Sequence, residues 1–411
     1  MKKALFLVAL MAASTASFAQ KATLTKAKTT LQEATVNPKA PDYAKIDQVW
    51  DLLQQCMQDP VTSKMGETYA NAGRVQAFYM TKMMNDRNAN GGQMDMDKFF
   101  DNQVQIVDLY SKANKWDNTP NEKGKYLIKD ENERKKNSAL YQQIATGPRS
   151  NLFIAASNYV MSDPDKCLKY LDIYENSYND PLFAGVLDPA NDTTLIDAAY
   201  FRATALKAKA KTAADTTALI PLLEKSVASK SYAVMACNDL MEIYKNRGQM
   251  DKWVEVCDNG MAKDPTQKFF PKVKLEYLAN EKKYDEAIAL CQVLKERFPE
   301  DEYAYYTEGV INFTNDKMPE AIAAFKATTE VKPDYAEAWS SMGTCTWKIA
   351  RDNATKVDVA TKYINEAIGY FKKAEECAPD RPNLWGYFLY QAYTSLKKPA
   401  EAAKYKEYKD M

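Results

Sequence analysis

The chain has 411 residues, of which 46% are apolar and 27% charged, with 55 Lys and Arg against 55 Asp and Glu. That length and apolar share fit several domains or one long repeat array and exclude a disordered chain, while the balanced charge gives no bias toward nucleic acid or an anionic membrane. The absence of any His removes the commonest general base and metal ligand, and excludes Ser-His-Asp and Cys-His catalysis within the chain.

At the N-terminus, Lys2 and Lys3 precede the apolar run ALFLVALMAA and the small-residue stretch STASFAQ. This is the pattern of a signal peptide over residues 1–19, cleaved after Ala19 with Ser17 and Ala19 at the −3 and −1 positions. The run is too short to stay in a membrane as a spanning helix, and no Cys follows it to make a lipobox. The expectation is an exported, periplasmic protein. Losing Lys2 and Lys3 takes the 55 basic side chains to 53 against 55 acidic ones, a net charge of −2.

Residues 20–180 predict divergent helical pairs. DYAKIDQVWDLLQQCMQ places Ile46, Val49, Trp50, Leu53 and Met57 on one helix face. GETYANAGRVQAFYMTKMM, with Tyr69 and Gly73 four apart, pairs with DKFFDNQVQIVDLYSKA; RSNLFIAASNYVM pairs with DPDKCLKYLDIYENSY. Polar inserts are expected at 85–97 and 115–137, and a third stretch, 179–194, as the seam between two halves. Within the first insert, Asp86, Asn88, Asn90, Gly91 and Asp97 match positions 1, 3, 5, 6 and 12 of a calcium loop. Asp97 replaces the bidentate Glu and Gln93 the usual apolar residue, and turns use the same residue types, so a plain helix–helix loop is the preferred reading. No metal or cofactor is expected.

The seven Cys are odd in number, with no two of them two to five residues apart, which argues against a disulfide framework or a zinc site. Cys237, Cys257 and Cys291 read as packing residues. No P-loop, GxGxxG or GxSxG motif is present, and no enzyme is expected.

From about residue 195 the pattern becomes regular. Pro265, Pro299 and Pro333 lie 34 residues apart, each closing a helix-like run. With Ala336 as position 1, Trp339 and Gly343 fall at positions 4 and 8, as Tyr305 and Gly309 do one period earlier. Ala287 and Ala321 occupy position 20 and Phe325 position 24. Ala367, Phe371, Ala374 and Pro379 continue the series 12 residues late; the extra residues, within ARDNATKVDVATK, lengthen a helix or form a loop. Asp334, with Glu337 three residues on, reads as an N-cap with a capping box.

These residues resemble the tetratricopeptide repeat (TPR) family, well over 200–411 and loosely over 42–178; the whole chain resembles signal-peptide-bearing TPR proteins of Bacteroidota. The resemblance implies an all-α, right-handed superhelical solenoid, with about six repeats over 195–411, the first of them degenerate, and divergent pairs before them. It also implies a concave groove lined by the first helix of each repeat. Its positions carry Tyr303, Tyr306, Val310 and Phe313, then Glu337, Ser340, Thr344 and Trp347, then Asn383, Tyr387, Tyr390 and Tyr393. Upstream they carry Asn238, Asp239, Glu242 and Lys245, then Phe269, Lys272 and Glu276. The aromatic stripe Tyr303, Tyr306, Phe313, Trp347, Tyr387, Tyr390 and Tyr393 suits a peptide or partner helix, although rings at these spacings also serve as inter-repeat core. The family's chaperone-tail clamp is not matched, since Glu276 stands where its Asn belongs and Thr307 and Ser341 hold its later positions. The expected function is an exported scaffold that binds a partner protein or peptide in the groove and supports assembly of an envelope complex, including an association with an outer-membrane complex; nucleic acid and a membrane span are not expected. The alternative is a glycan-binding protein related to SusD-type TPR receptors, in which such aromatics stack on sugars; those receptors are lipoproteins, and this chain lacks the lipobox Cys.

Overall fold

A computed structural model describes residues 21–89 and 91–411; the expected signal peptide and Asn90 lie outside them. Among the described residues every regular element is helical, and no helix is long and apolar enough to cross a membrane. The chain divides between Arg247 and Gly248 into two units.

The first unit holds α1 (residues 21–34), α2 (Tyr43–Gln58), α3 (Gly66–Ala89), α4 (Met96–Asp117), α5 (Glu131–Tyr159), α6 (Pro164–Asn176), α7 (Thr194–Lys209), α8 (Ala213–Ser226) and α9 (Ala233–Asn246). From α2 onward each helix packs on the next. Helix α1 is an addition to the expected elements: Leu24, Ala27, Leu31 and Ala34 are buried in the same core as Ile46, Val49 and Leu53 of α2. The insert expected over 115–137 is shorter than its composition suggests, because α5 starts at Glu131. Asp130 caps it by accepting from the Asn132 amide at 2.8 Å, and Arg134 reaches back to the Ile128 carbonyl at 2.8 Å while stacking on Tyr126 at 3.9 Å. The stretch 179–194 lies inside this unit and is not a linker: Leu182 and Phe183 are buried, Ser111 donates to Asp180 at 2.5 Å, and Gln142 donates to the Leu182 carbonyl at 3.0 Å.

The second unit holds α10 (Met250–Lys263), α11 (Phe269–Asn280), α12 (Tyr284–Arg297), α13 (Glu302–Thr314), α14 (Met318–Val331), α15 (Ala336–Asp352), α16 (Val357–Cys377), α17 (Gly386–Ser395) and α18 (Pro399–Ala403). Pro265, Pro299 and Pro333 sit in the turns just after α10, α12 and α14. A second 34-residue series is conformational. Gly248, Lys282 and Asp316 each adopt a left-handed backbone, with φ of 66°, 59° and 61°, in the turn that leads into α10, α12 or α14. There the chain closes as helix C-termini do: the Lys283 amide donates to the Leu278 carbonyl and the Lys317 amide to Asn312, both at 2.9 Å.

In several hairpins a small residue seats an aromatic. A Cβ added to Gly309 would lie 2.5 Å from the Phe325 ring, and one added to Gly343 2.6 Å from Phe371. Gly73 has the same relation to Tyr110 in the first unit, at 2.7 Å. The 12 late residues lengthen both helices of one hairpin: α15 has 17 residues and α16 has 21, against 13 and 14 for α13 and α14.

The start of α15 departs from the expected capping box. Tyr335 is the N-cap and makes no side-chain cap bond. The Glu337 carboxylate is drawn instead to Arg381, 44 residues on, at 2.7 Å, and the Trp339 indole donates to the Pro333 carbonyl at 2.8 Å, so these contacts, not an Asp334 cap, fix the entry.

Candidate partner-binding face of the second unit

The expected groove positions of this unit belong to α11, α13, α15 and α17, except Asn383, which lies in the turn before α17, and the structure ties these helices to one another at and beside them. Lys268 and Lys272 both approach the largely buried Asp301 carboxylate, at 2.7 and 3.4 Å. Asp301 also caps α13, accepting from the Tyr303 amide at 3.0 Å. Burial pushes its carboxyl up, but Lys268, the Tyr303 amide and Lys272 together outweigh that and hold it below the usual carboxylate range. The Lys272 ammonium lies 4.6 Å over the Tyr303 ring, and the Tyr303 hydroxyl donates to Glu276 at 3.1 Å. Burial, then Glu276, push that phenol well above its ordinary value.

Tyr306 lies edge-on to Tyr335 at 5.1 Å and tilted on Phe325 at 5.4 Å; Phe313 packs into the same cluster. On α15, Ser340 donates to the Leu384 carbonyl at 2.5 Å. Trp347 packs into a core shared with Tyr390 and Tyr393, and Tyr393 stacks on Tyr405 at 6.0 Å. Of the seven rings of the expected stripe, six are therefore half-buried, with faces engaged by neighbouring helices. Tyr387 is the exposed one; Phe269 at 50% and Val310 at 40% add exposed apolar surface at other positions of the same series.

One feature of this unit escaped sequence reasoning. The longer α15 and α16 enclose, with the end of α17, a cavity of about 290 Å³ lined by Trp347, Arg351, Val357, Ile364 and Leu396 among others. Its one sequence signal was the 12-residue delay in the repeat.

In the first unit, Lys207 bridges two of the upstream groove positions, Asp239 at 2.8 Å and Glu242 at 2.6 Å. Among the described residues, no cluster of carboxylates that could hold a metal forms around the expected calcium loop. Asp86 and Asn88 lie within helix α3, and Asp86 pairs with Lys82 at 2.7 Å. Asp97 stands in the first turn of α4, held by Lys166 at 2.8 Å and by the Tyr159 hydroxyl. Those two partners, Lys166 foremost, keep its carboxyl below the usual range. A buried polar cluster that the sequence did not announce pins 177–194 to α5: the Arg149 guanidinium lies 4.1 Å from the Tyr174 ring and 4.6 Å from Tyr178, and its Nε donates to Ser177 at 2.6 Å. Both tyrosine hydroxyls donate to Asp192.

These features define an all-α array of helix hairpins whose regular part repeats every 34 residues. No family model matches the chain, and no curated protein matches it. Among solved structures, the MamA protein is similar in fold at 19% identity and a TM-score of 0.33, over 45% of this chain and 94% of that one. MamA from Desulfovibrio magneticus RS-1, from residue 41 to its end, is similar at 16% identity and a TM-score of 0.30, over 44% and 94%. Overlaps of this extent assign neither a family nor a function.

Proposed function

We propose that the chain is a binding scaffold, exported to the periplasm, that holds a segment of a partner protein against α11, α13, α15 and α17 and so supports an envelope complex. The leader pattern of residues 1–19 supports export. The observation that carries the binding role is the combination on this face of exposed apolar groups, Phe269, Val310 and Tyr387, with half-buried rings anchored from behind. Pre-positioned aromatics of this kind give large contact area at low entropic cost. Sugar stacking needs an open ring face, and here Tyr393 stacks one face on Tyr405 while Tyr306 packs on Phe325 and Tyr335, which leaves fewer such faces and favours protein over glycan.

Photo-reactive side chains introduced at positions 269, 310 and 387 test this in the native envelope. The expected result is an adduct with the same partner from all three, and Val310→Asp abolishes the adducts from positions 269 and 387. A control at Val293, 40% exposed on α12, gives none. Equal adducts from position 293, or saturable binding on a glycan array without any protein adduct, would overturn the proposal.

A further inference from the structure

The turn between α17 and α18 separates two clefts. On one side is the apolar cavity of about 290 Å³, with Trp347, Val357 and Leu396 in its lining and Arg351 among them. On the other is a cleft of about 540 Å³ lined by Tyr390, Thr394, Lys397, Lys398 and Lys406. Leu396 lines the first and Lys397 the second, so one turn contributes to both. Lys397 holds that turn in a left-handed conformation, φ 54°, and the Lys398 amide closes it on the Tyr393 carbonyl at 2.9 Å.

No carboxylate lines either cleft. The acids nearest in sequence, Asp352, Asp358, Glu401 and Glu407, lie outside both linings. Arg351, Lys397, Lys398 and Lys406 are exposed, and none of the four forms an ion pair with a described residue, whereas Lys332, Lys348, Lys372 and Arg381 of the same unit do. Val357, at the mouth of the apolar cavity, is 70% exposed at the first position of α16.

We propose that this turn docks a short acidic peptide segment carrying one bulky apolar side chain. The apolar group enters the cavity beside Trp347 and Val357, and the flanking carboxylates meet Arg351 on one side and Lys397, Lys398 and Lys406 on the other. Charge and shape select this occupant. A nucleic acid supplies the negative charge but no aliphatic side chain for the cavity. A membrane is flat and calls for a broader basic patch than three lysines in a concave cleft. Lysines act as adaptable point charges, suited to carboxylates at variable positions. The proposal rests on the protein-binding reading above, adds the chemistry of the partner, and places it on a second surface.

The test uses the full chain and a fluorescein-labelled decapeptide with one Phe among Asp and Glu, followed by anisotropy. The expected result is saturable binding weakened by about tenfold, the loss of one charge-assisted contact or more, in Lys398→Glu/Lys406→Glu and likewise in Val357→Asp. Both changes are at exposed positions, so an unchanged melting temperature accompanies them. Replacing the Phe by Ser, or the acids by their amides, abolishes binding, and Val310→Asp leaves it intact. Equal binding to wild type and both variants overturns the proposal. So does equal affinity for single-stranded DNA or for vesicles containing phosphatidylserine, which would make the cleft a general polyanion site. If the peptide fails while adducts from positions 269, 310 and 387 persist, this inference alone falls. If the adducts are absent while the peptide binds, the scaffold face alone falls.

Discussion

Gly343 and Gly369 lie on the two helices of one hairpin and predict opposite effects of the same substitution. At Gly343 an added methyl would meet the buried Phe371 ring at 2.6 Å; at Gly369 nothing lies within 4 Å. Gly343→Ala forces the ring or the helix pair apart, an overpacking cost of about 1–3 kcal/mol. Gly369→Ala removes only the backbone freedom of an exposed mid-helix glycine and stabilises by about 0.5–1 kcal/mol. Urea unfolding of the two variants measures both, and a shared sign would refute the role given to Gly343. The cysteines make a related point. Burial pushes the Cys291 and Cys345 thiols up to about 12 and Cys167 to about 11, so these side chains pack as small apolar groups and stay protonated at neutral pH.

At the scale of the helix, Asp301 joins α13 to α11 and makes that joint pH-dependent. Its folded carboxyl titrates below the unfolded value, so its contribution is fully present above about pH 4 and is lost as pH falls through the folded value. Asn keeps the cap but not the charge. The stability difference between wild type and Asp301→Asn therefore shrinks on acidification below about pH 4; a difference that stays constant from neutral to acid would show that Lys268 and Lys272 do not act on this group. What the sequence disclosed at this scale follows from which interactions are local. Pro265, Pro299 and Pro333 end helices through their own backbone, so their spacing marked the hairpins. Gly309 with Phe325 is a pair repeated in register, so it was visible too. Asp334 looked like a cap from its immediate neighbours, yet Glu337 answers to Arg381, 44 residues away. Helix α1 went unread because only Leu24, Ala27, Leu31 and Ala34 carry its periodicity among Lys and Thr. For the candidate face, the period indicated which positions line up along α11, α13, α15 and α17. It could not give how deeply each ring sinks, since Tyr306 is covered by Tyr335 and Tyr393 by Tyr405, partners supplied by turns elsewhere in the chain.

At the scale of the molecule, the left-handed residues of the second unit have a consequence for how the chain can be cut. Lys282 and Asp316 occupy the same point of successive turns, with φ of 59° and 61°, and each is followed by Lys and then by the first residue of a helix. Excising residues 283–316 would join Lys282 to Lys317 without altering the turn, and α11 would fold back on α14 in place of α12. In an array held by neighbour contacts, such a cassette deletion is expected to leave a cooperatively unfolding helical protein, checked by circular dichroism against urea. Moving the same 34-residue excision by half a helix, so that it begins inside α12, changes which side chains meet across the new joint; if both deletions fold equally well, the turn is not the unit of repetition. The boundary along which this protein can be shortened or extended is thus written in a backbone angle, at positions where the side chains Gly248, Lys282 and Asp316 have nothing in common.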